Sequence, residues 1–337
     1  MKEAMLHEKL PEGKVKCNLC NHRCIIKDGN YGICGVRQNR DGSLYTLVYN
    51  KIVASHIDPI EKKPLFQFYP GSTAYSIATV GCNFSCRHCQ NSDISQSPRE
   101  KKGYIVGEEI KPGEIATEAE RAGCTSIAYT YTEPTVFFEL AYETAQKAHE
   151  RGIKNVFVSN GYMTPEALEE ISPYLDGMNI DLKAFTEKFY KEICGARLEP
   201  VLGTIKLSKQ LGIWVEVTTL VIPKLNDSPE ELRGIAEFIR DVDEAIPWHI
   251  SQFYPTHRLT NLPRTPVETL HMAREIGLES GLRYVYEGNV PGRGNENTYC
   301  HQCGEILIER WGYSILKNTV KDDQCPSCSS PVAGVGL

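Results

Sequence analysis

Between about residue 74 and residue 290, short β-branched runs alternate with longer stretches whose apolar residues recur at helical spacing. This is the pattern of a parallel sheet built from βα units. The runs predict strands over 74–80, 126–131, 155–159, 178–182, 214–221, 249–253 and 283–286. Helices are expected over 112–122, 135–151, 165–171, 198–211, 229–242 and 266–280, several with proline in the first turn, where its missing N–H is harmless. Gly152, Gly212 and Gly281 stand where three of these helices should stop.

In parallel α/β sheets, ligands gather at the carboxyl ends of the strands, so the loops that follow them carry the functional signal. The first strand runs into Cys82-Asn-Phe-Ser-Cys86-Arg-His-Cys89, the second into Thr132-Glu133-Pro134, the third into Ser159-Asn160-Gly161 and the fourth into Asp181-Leu182-Lys183. Asn226-Asp227 and His257 follow the fifth and sixth. Thiolates spaced as C-x3-C-x2-C leave one iron of a four-iron cubane without a protein ligand, which invites a substrate or cofactor there. The plainer readings of the same residues are ordinary buried thiols or part of a zinc site.

A chain of 337 residues, 41% hydrophobic and 24% charged, holds one large α/β domain with small appendages. A formal net charge of −6 gives no reason to expect nucleic acid as a partner. There is no apolar run long enough to span a bilayer, and the start Met1-Lys-Glu-Ala-Met-Leu-His lacks a signal-peptide core, so a cytoplasmic protein without a membrane partner is expected.

The thirteen cysteines fall in short-spaced groups, which points to metal rather than disulfides. Cys300, Cys303, Cys325 and Cys328 form two C-x2-C turns, the signature of a tetrathiolate zinc ribbon, with short strands expected at 306–310 and 313–316. Cys17, Cys20, Cys24 and Cys34 suit either a second zinc, the preferred reading, or an auxiliary iron–sulfur cluster, and His22 is an alternative ligand. Cys124 and Cys194 read as small buried apolar residues, and the lysines of the 62–70 connector as a solvated face. The implied organisation is a Cys-rich region and connector over 1–70, a core over 71–295 and a ribbon module over 296–337.

From the cysteine triplet to the last strand these residues resemble the radical S-adenosylmethionine (SAM) superfamily. The resemblance implies a partial or full parallel β/α, TIM-like barrel. It further implies a [4Fe-4S] cluster on Cys82, Cys86 and Cys89 that cleaves SAM reductively to a 5′-deoxyadenosyl radical, with an unidentified substrate and an external electron donor such as flavodoxin or ferredoxin. By the same likeness Glu133 receives the methionine ammonium group, Lys183 meets the carboxylate, Asp181 the ribose or a neighbouring cation, and Ser159 and Asn160 line the cofactor site. His88 replaces the usual aromatic residue of the triplet, Thr132 a glycine, and Val158 an acidic residue.

The segments at 17–24, 34–37, 129–134 and 286–291 are similar to the AmmeMemoRadiSam group, which implies Memo-like and AMMECR1-like partners. The pyruvate formate-lyase activating enzymes are also similar, so a glycyl-radical-enzyme activase is the alternative activity. A non-catalytic, metal-stabilised docking protein is the alternative outside enzymes.

Overall fold

The computed structural model describes residues 1–290 and 295–337. Pro291, the last residue of the 286–291 segment, lies outside the described residues. An eight-stranded sheet forms the centre: β1 (Ala54–Pro59), β2 (Thr73–Ala78), β3 (Ser126–Tyr129), β4 (Lys154–Ser159), β5 (Gly177–Asp181), β6 (Trp214–Val221), β7 (Trp248–Gln252) and β8 (Val285–Gly288). The strands lie in sequence order from β1 to β8, and every pairing is parallel except β1 with β2. The order is open, with β1 and β8 at the two edges, so the fold is a partial barrel.

All the expected strands form within two residues of their predicted ends, because each is a buried β-branched run that ends in a polar loop. The helices are α1 (Pro112–Arg121), α2 (Phe138–His149), α3 (Pro165–Ile171), α4 (Glu199–Gln210), α5 (Pro229–Val242) and α6 (Val267–Glu279). Thr164 and Ser228 cap α3 and α5 by accepting the Ala167 and Glu231 N–H groups, and Gly152, Gly212 and Gly281 take positive φ beyond α2, α4 and α6. The helix expected over 135–151 is shorter than predicted. A 3-10 turn over Pro134–Phe137 precedes α2, because the Glu133 side chain captures the Thr135 N–H and Phe137 leaves helical geometry.

The connector, whose lysines were expected to face solvent, plugs the barrel at the amino ends of the strands with its aromatic residues. Phe66 packs on Tyr284 and Tyr286, and Phe68 on Ala74, Ala128 and Val156. Glu216 on β6 is wholly buried and accepts the Phe66 and Gln67 N–H groups at 2.9 Å each. It also meets His249 Nε2 at 2.6 Å and Trp214 Nε1 at 3.0 Å. Lys63 is buried and pairs with Asp58, since the plug draws both inward, while Lys62 stays half exposed.

Candidate cofactor site

The loop after β2 turns on a glycine. Gly81 has φ of 103°, and an added Cβ would stand 2.5 Å from Val36 Cγ1, so glycine alone fits before Cys82. The loop is then clamped from several directions. Ser85 and Arg87 donate their N–H groups to the Cys194 and Ile193 carbonyls at 2.8 and 3.0 Å, and Arg99 donates to the Cys82 and Phe84 carbonyls at 2.9 and 3.2 Å. Cys82 Sγ accepts the Phe84 N–H at 3.3 Å, and Cys89 Sγ lies 3.2 Å from Ser95 Oγ. Burial and the nearby Glu133 push the Cys82 thiol well up, and burial raises Cys89. Cys86 is lowered, chiefly by a hydrogen bond from Cys194 and then by Lys183.

Glu133 sits at the carboxyl end of β3 with 1% of its surface exposed. Its Oε1 accepts from Thr135 N at 3.0 Å, Thr135 Oγ1 at 2.5 Å and Ser159 Oγ at 2.8 Å, while its Oε2 accepts from Asn160 N at 2.8 Å. Oε2 therefore keeps acceptor capacity for one more donor. Burial raises this carboxyl above its ordinary value even against those hydrogen bonds. Asn160 Nδ2 donates to Asn83 Oδ1 at 2.7 Å and lies 3.8 Å from Cys82 Sγ. Ser159 and Asn160 thus brace the carboxylate and tie it to the cysteine loop.

On the other side of the loop Lys183 Nζ pairs with Asp181 at 2.7 Å. Desolvation pulls this ammonium down, but Asp181, Cys86 and Cys194 outweigh it and hold Lys183 well above its usual value. Asn226 donates to the Lys183 and Leu220 carbonyls and accepts the Ile222 N–H, so it shapes the loops and does not face a ligand. His88 is buried and held neutral by burial, with its pKa lowered to about 3. His88 Nδ1 and Asn83 Nδ2 are buried without a hydrogen-bond partner among the described residues.

Two features escaped the sequence reading. Cys194 contacts Cys86 from the end of a helical turn (Tyr190–Cys194) more than 100 positions away and is not simple packing. Tyr131, at a φ of 62°, reaches into the barrel to hydrogen-bond Asp58 beside Lys63. His249 belongs to the barrel floor, as described above. An interior lysine and a left-handed tyrosine have no local sequence signal, although Asp58 lying four and five residues before Lys62 and Lys63 was a hint.

Three cysteines on one loop, flanked by a buried carboxylate after β3 and a partly buried ammonium after β5, form a donor set suited to an iron–sulfur cluster and a zwitterionic cofactor. Residues 76–239 match the Radical SAM superfamily. The chain belongs to the radical SAM superfamily. Membership implies a [4Fe-4S] cluster and SAM.

This radical SAM protein is 48% identical to an uncharacterized protein of Methanocaldococcus jannaschii over 98% of its own length and 99% of the other. It is 24% identical to the pyruvate formate-lyase-activating enzyme of Clostridium pasteurianum, over 61% of its length and 89% of that enzyme. Its fold is similar to that of Streptococcus suis SuiB bound to S-adenosylmethionine, with a TM-score of 0.51 and 14% identity over 68% of this chain and 53% of that one. A radical SAM methyltransferase from Sphaerobacter thermophilus gives 0.50 and 17%, over 71% and 72%.

The two outer cysteine groups of this radical SAM protein differ in geometry. In the carboxyl-terminal module, strands over Thr298–Tyr299, Ile306–Trp311 and Ser314–Asn318 bring Cys300, Cys303, Cys325 and Cys328 together, with all four sulfurs within 4.8 Å of one another. The module is fastened to the barrel plug: Arg310 donates to the Phe66 carbonyl at 2.6 Å, and Gln67 to the Ala333 carbonyl at 2.6 Å. At the other end Cys17, Cys20, Cys24 and Cys34 line one pocket beside the cofactor loop. His22 Nε2 meets the Asn83 carbonyl at 2.8 Å, so that nitrogen is committed to the loop and not to a metal. No helix among the described residues is long and apolar enough to cross a membrane.

Proposed function

We propose that this protein is an enzyme that reductively cleaves SAM to a 5′-deoxyadenosyl radical, which then acts on a separate substrate. The observation that carries this reading is the joint position of Cys82, Cys86 and Cys89 with Glu133 on one flank and Lys183 on the other. When bound, the cluster supplies the electron, and a flavodoxin- or ferredoxin-type donor would replenish it. The chain's own groups have the simpler task of holding a zwitterion. The spare acceptor on Glu133 suits an ammonium group and Lys183 suits a carboxylate, each through a charge-assisted hydrogen bond. Burial of His88, Phe84 and Tyr190 around the loop keeps water away from a reactive centre. The ribbon quartet fits zinc, which would staple a module with a small core of its own.

The test is anaerobic reconstitution with iron and sulfide, reduction in the presence of SAM and chromatographic assay for 5′-deoxyadenosine. Wild type should release it and Cys86→Ala should not. A fully loaded wild type that leaves SAM intact would rule the reading out. A second reading, activation of a glycyl-radical enzyme, is supported by the similarity to the Clostridium pasteurianum enzyme. It requires a glycyl electron-spin signal on an added partner enzyme.

A further inference from the structure

The sulfurs of a bound metal centre must stand at distances its inorganic core dictates. In a zinc tetrathiolate, Zn–S bonds of about 2.3 Å set neighbouring sulfurs about 3.8 Å apart. The ribbon matches, with Cys300 to Cys328 at 3.6 Å and Cys303 to Cys325 at 3.7 Å. A four-iron cubane spreads its four thiolates to roughly 6 Å. Among the described residues, the ribbon quartet is the one group of three or more such side chains whose ligand atoms all lie within 4.8 Å. The amino-terminal quartet does not gather so tightly, and neither does the triplet Cys82, Cys86 and Cys89. Cys17, Cys20, Cys24 and Cys34 nevertheless line a single pocket. Like the triplet, and unlike the ribbon, the quartet is not drawn in to the spacing that a single ion needs.

The geometry points to a second, all-cysteine [4Fe-4S] cluster held by Cys17, Cys20, Cys24 and Cys34, in place of the expected zinc. The rest of the pocket lining suits an anionic centre. Leu19, Ile26, Ile33 and Val136 supply apolar walls. Arg37, 2% exposed, lines the pocket beside them, and its Nε has no hydrogen-bond partner among the described residues while its Nη2 pairs with buried Glu139 at 2.5 Å. A buried guanidinium with a spare N–H offsets the net negative charge of a thiolate-ligated cluster. Arg37 thus indicates an anionic metal centre, and the sulfur spacing decides which one.

Four cysteines fill all four irons, so this cluster would store and pass electrons and would not bind SAM. It shares a wall with the radical centre. His22, between Cys20 and Cys24, donates to the carbonyl of Asn83, the neighbour of Cys82. A Cβ on Gly81 would also stand 3.4 Å from the Cys34 carbonyl oxygen.

Metal counting tests the inference without SAM chemistry. After anaerobic reconstitution, wild type should hold about eight irons and eight sulfides per chain besides one zinc. The triple variant Cys82→Ala, Cys86→Ala and Cys89→Ala should keep about four irons, and dithionite should give a reduced-cluster spin signal that SAM leaves unchanged. Cys17→Ser with Cys24→Ser should lose about four irons and retain a SAM-responsive signal. About four irons and two zincs in wild type would overturn the second cluster, whether or not any variant folds. A wild type with about eight irons that leaves SAM intact would count against the proposed activity alone.

Discussion

Glu133→Gln separates folding from cofactor binding more cleanly than any other change at this site. The side chain is fully enclosed and its two oxygens receive four donors. A glutamine can keep its carbonyl where Oε1 accepts from Thr135 and Ser159, but it then turns an NH2 group toward the Asn160 N–H. One buried backbone donor loses its acceptor, which costs about 1–3 kcal/mol of stability. The larger effect falls on SAM, whose ammonium loses a charged acceptor. A hydrogen bond to an ionised group contributes about 1.5–3 kcal/mol, so affinity should fall roughly 10- to 150-fold.

A pH signature follows from the raised Glu133 carboxyl. The free site takes up a proton at higher pH than an ordinary glutamate, and an arriving ammonium expels it. SAM should therefore bind more tightly as pH rises through that raised value, with proton release on binding, and the variant should lack this dependence. Anaerobic titration calorimetry in two buffers of different ionisation enthalpy measures both quantities, with thermal unfolding monitored alongside. A folded variant that binds SAM within about twofold of wild type would show that Glu133 does not meet the ammonium group.

Glu216→Ala should remove about 3–5 kcal/mol in urea unfolding, because His249, Trp214 and two backbone N–H groups are left buried without their acceptor; a loss below about 1 kcal/mol would refute that account of the barrel floor. Gly81→Ala should cost about 1–3 kcal/mol and lower iron loading of the triplet, since both the positive φ and the Val36 contact oppose a Cβ; unchanged iron content and melting temperature would contradict it. Cys300→Ser with Cys328→Ser should release one zinc per chain on metal analysis while 5′-deoxyadenosine formation persists, and an unchanged zinc content would reject the ribbon assignment.

The central sheet was legible because its strands are apolar runs whose ends fall at polar loops, and the two sheet-edge effects explain what was not. The antiparallel edge strand Ala54–Pro59 exposes Ser55, His56 and Ile57 in succession, so it carries neither an unbroken apolar run nor a clean alternation. In the plug over residues 62–70 the lysines read as a solvated face, which holds for Lys62 alone; Lys63 is drawn in by Asp58, and the backbone beside it by the distant Glu216.

At the site, Glu133, Ser159, Asn160, Asp181 and Lys183 could be singled out from their places after successive strands. Their partners could not. Cys194 meets the Cys86 loop across more than 100 residues, and His22 reaches Asn83 across 61, distances over which local pattern holds no information. Sulfur spacing, which separates the ribbon from the amino-terminal quartet, is likewise a property of the folded chain alone.

The docking of the amino-terminal segment also dictates an order of events during synthesis. Asn21 waits for the Tyr162 and Met163 carbonyls, Thr164 closes on Asn18 and Leu19, and Arg37 needs Glu139, so the segment around Asn21 is seated only after more than 140 further residues have emerged. Contacts that span so much chain form late and slowly. The four amino-terminal thiols therefore stay open to oxidation or to stray metal until α3 has been made, and a nascent chain stalled before that point would carry them unprotected.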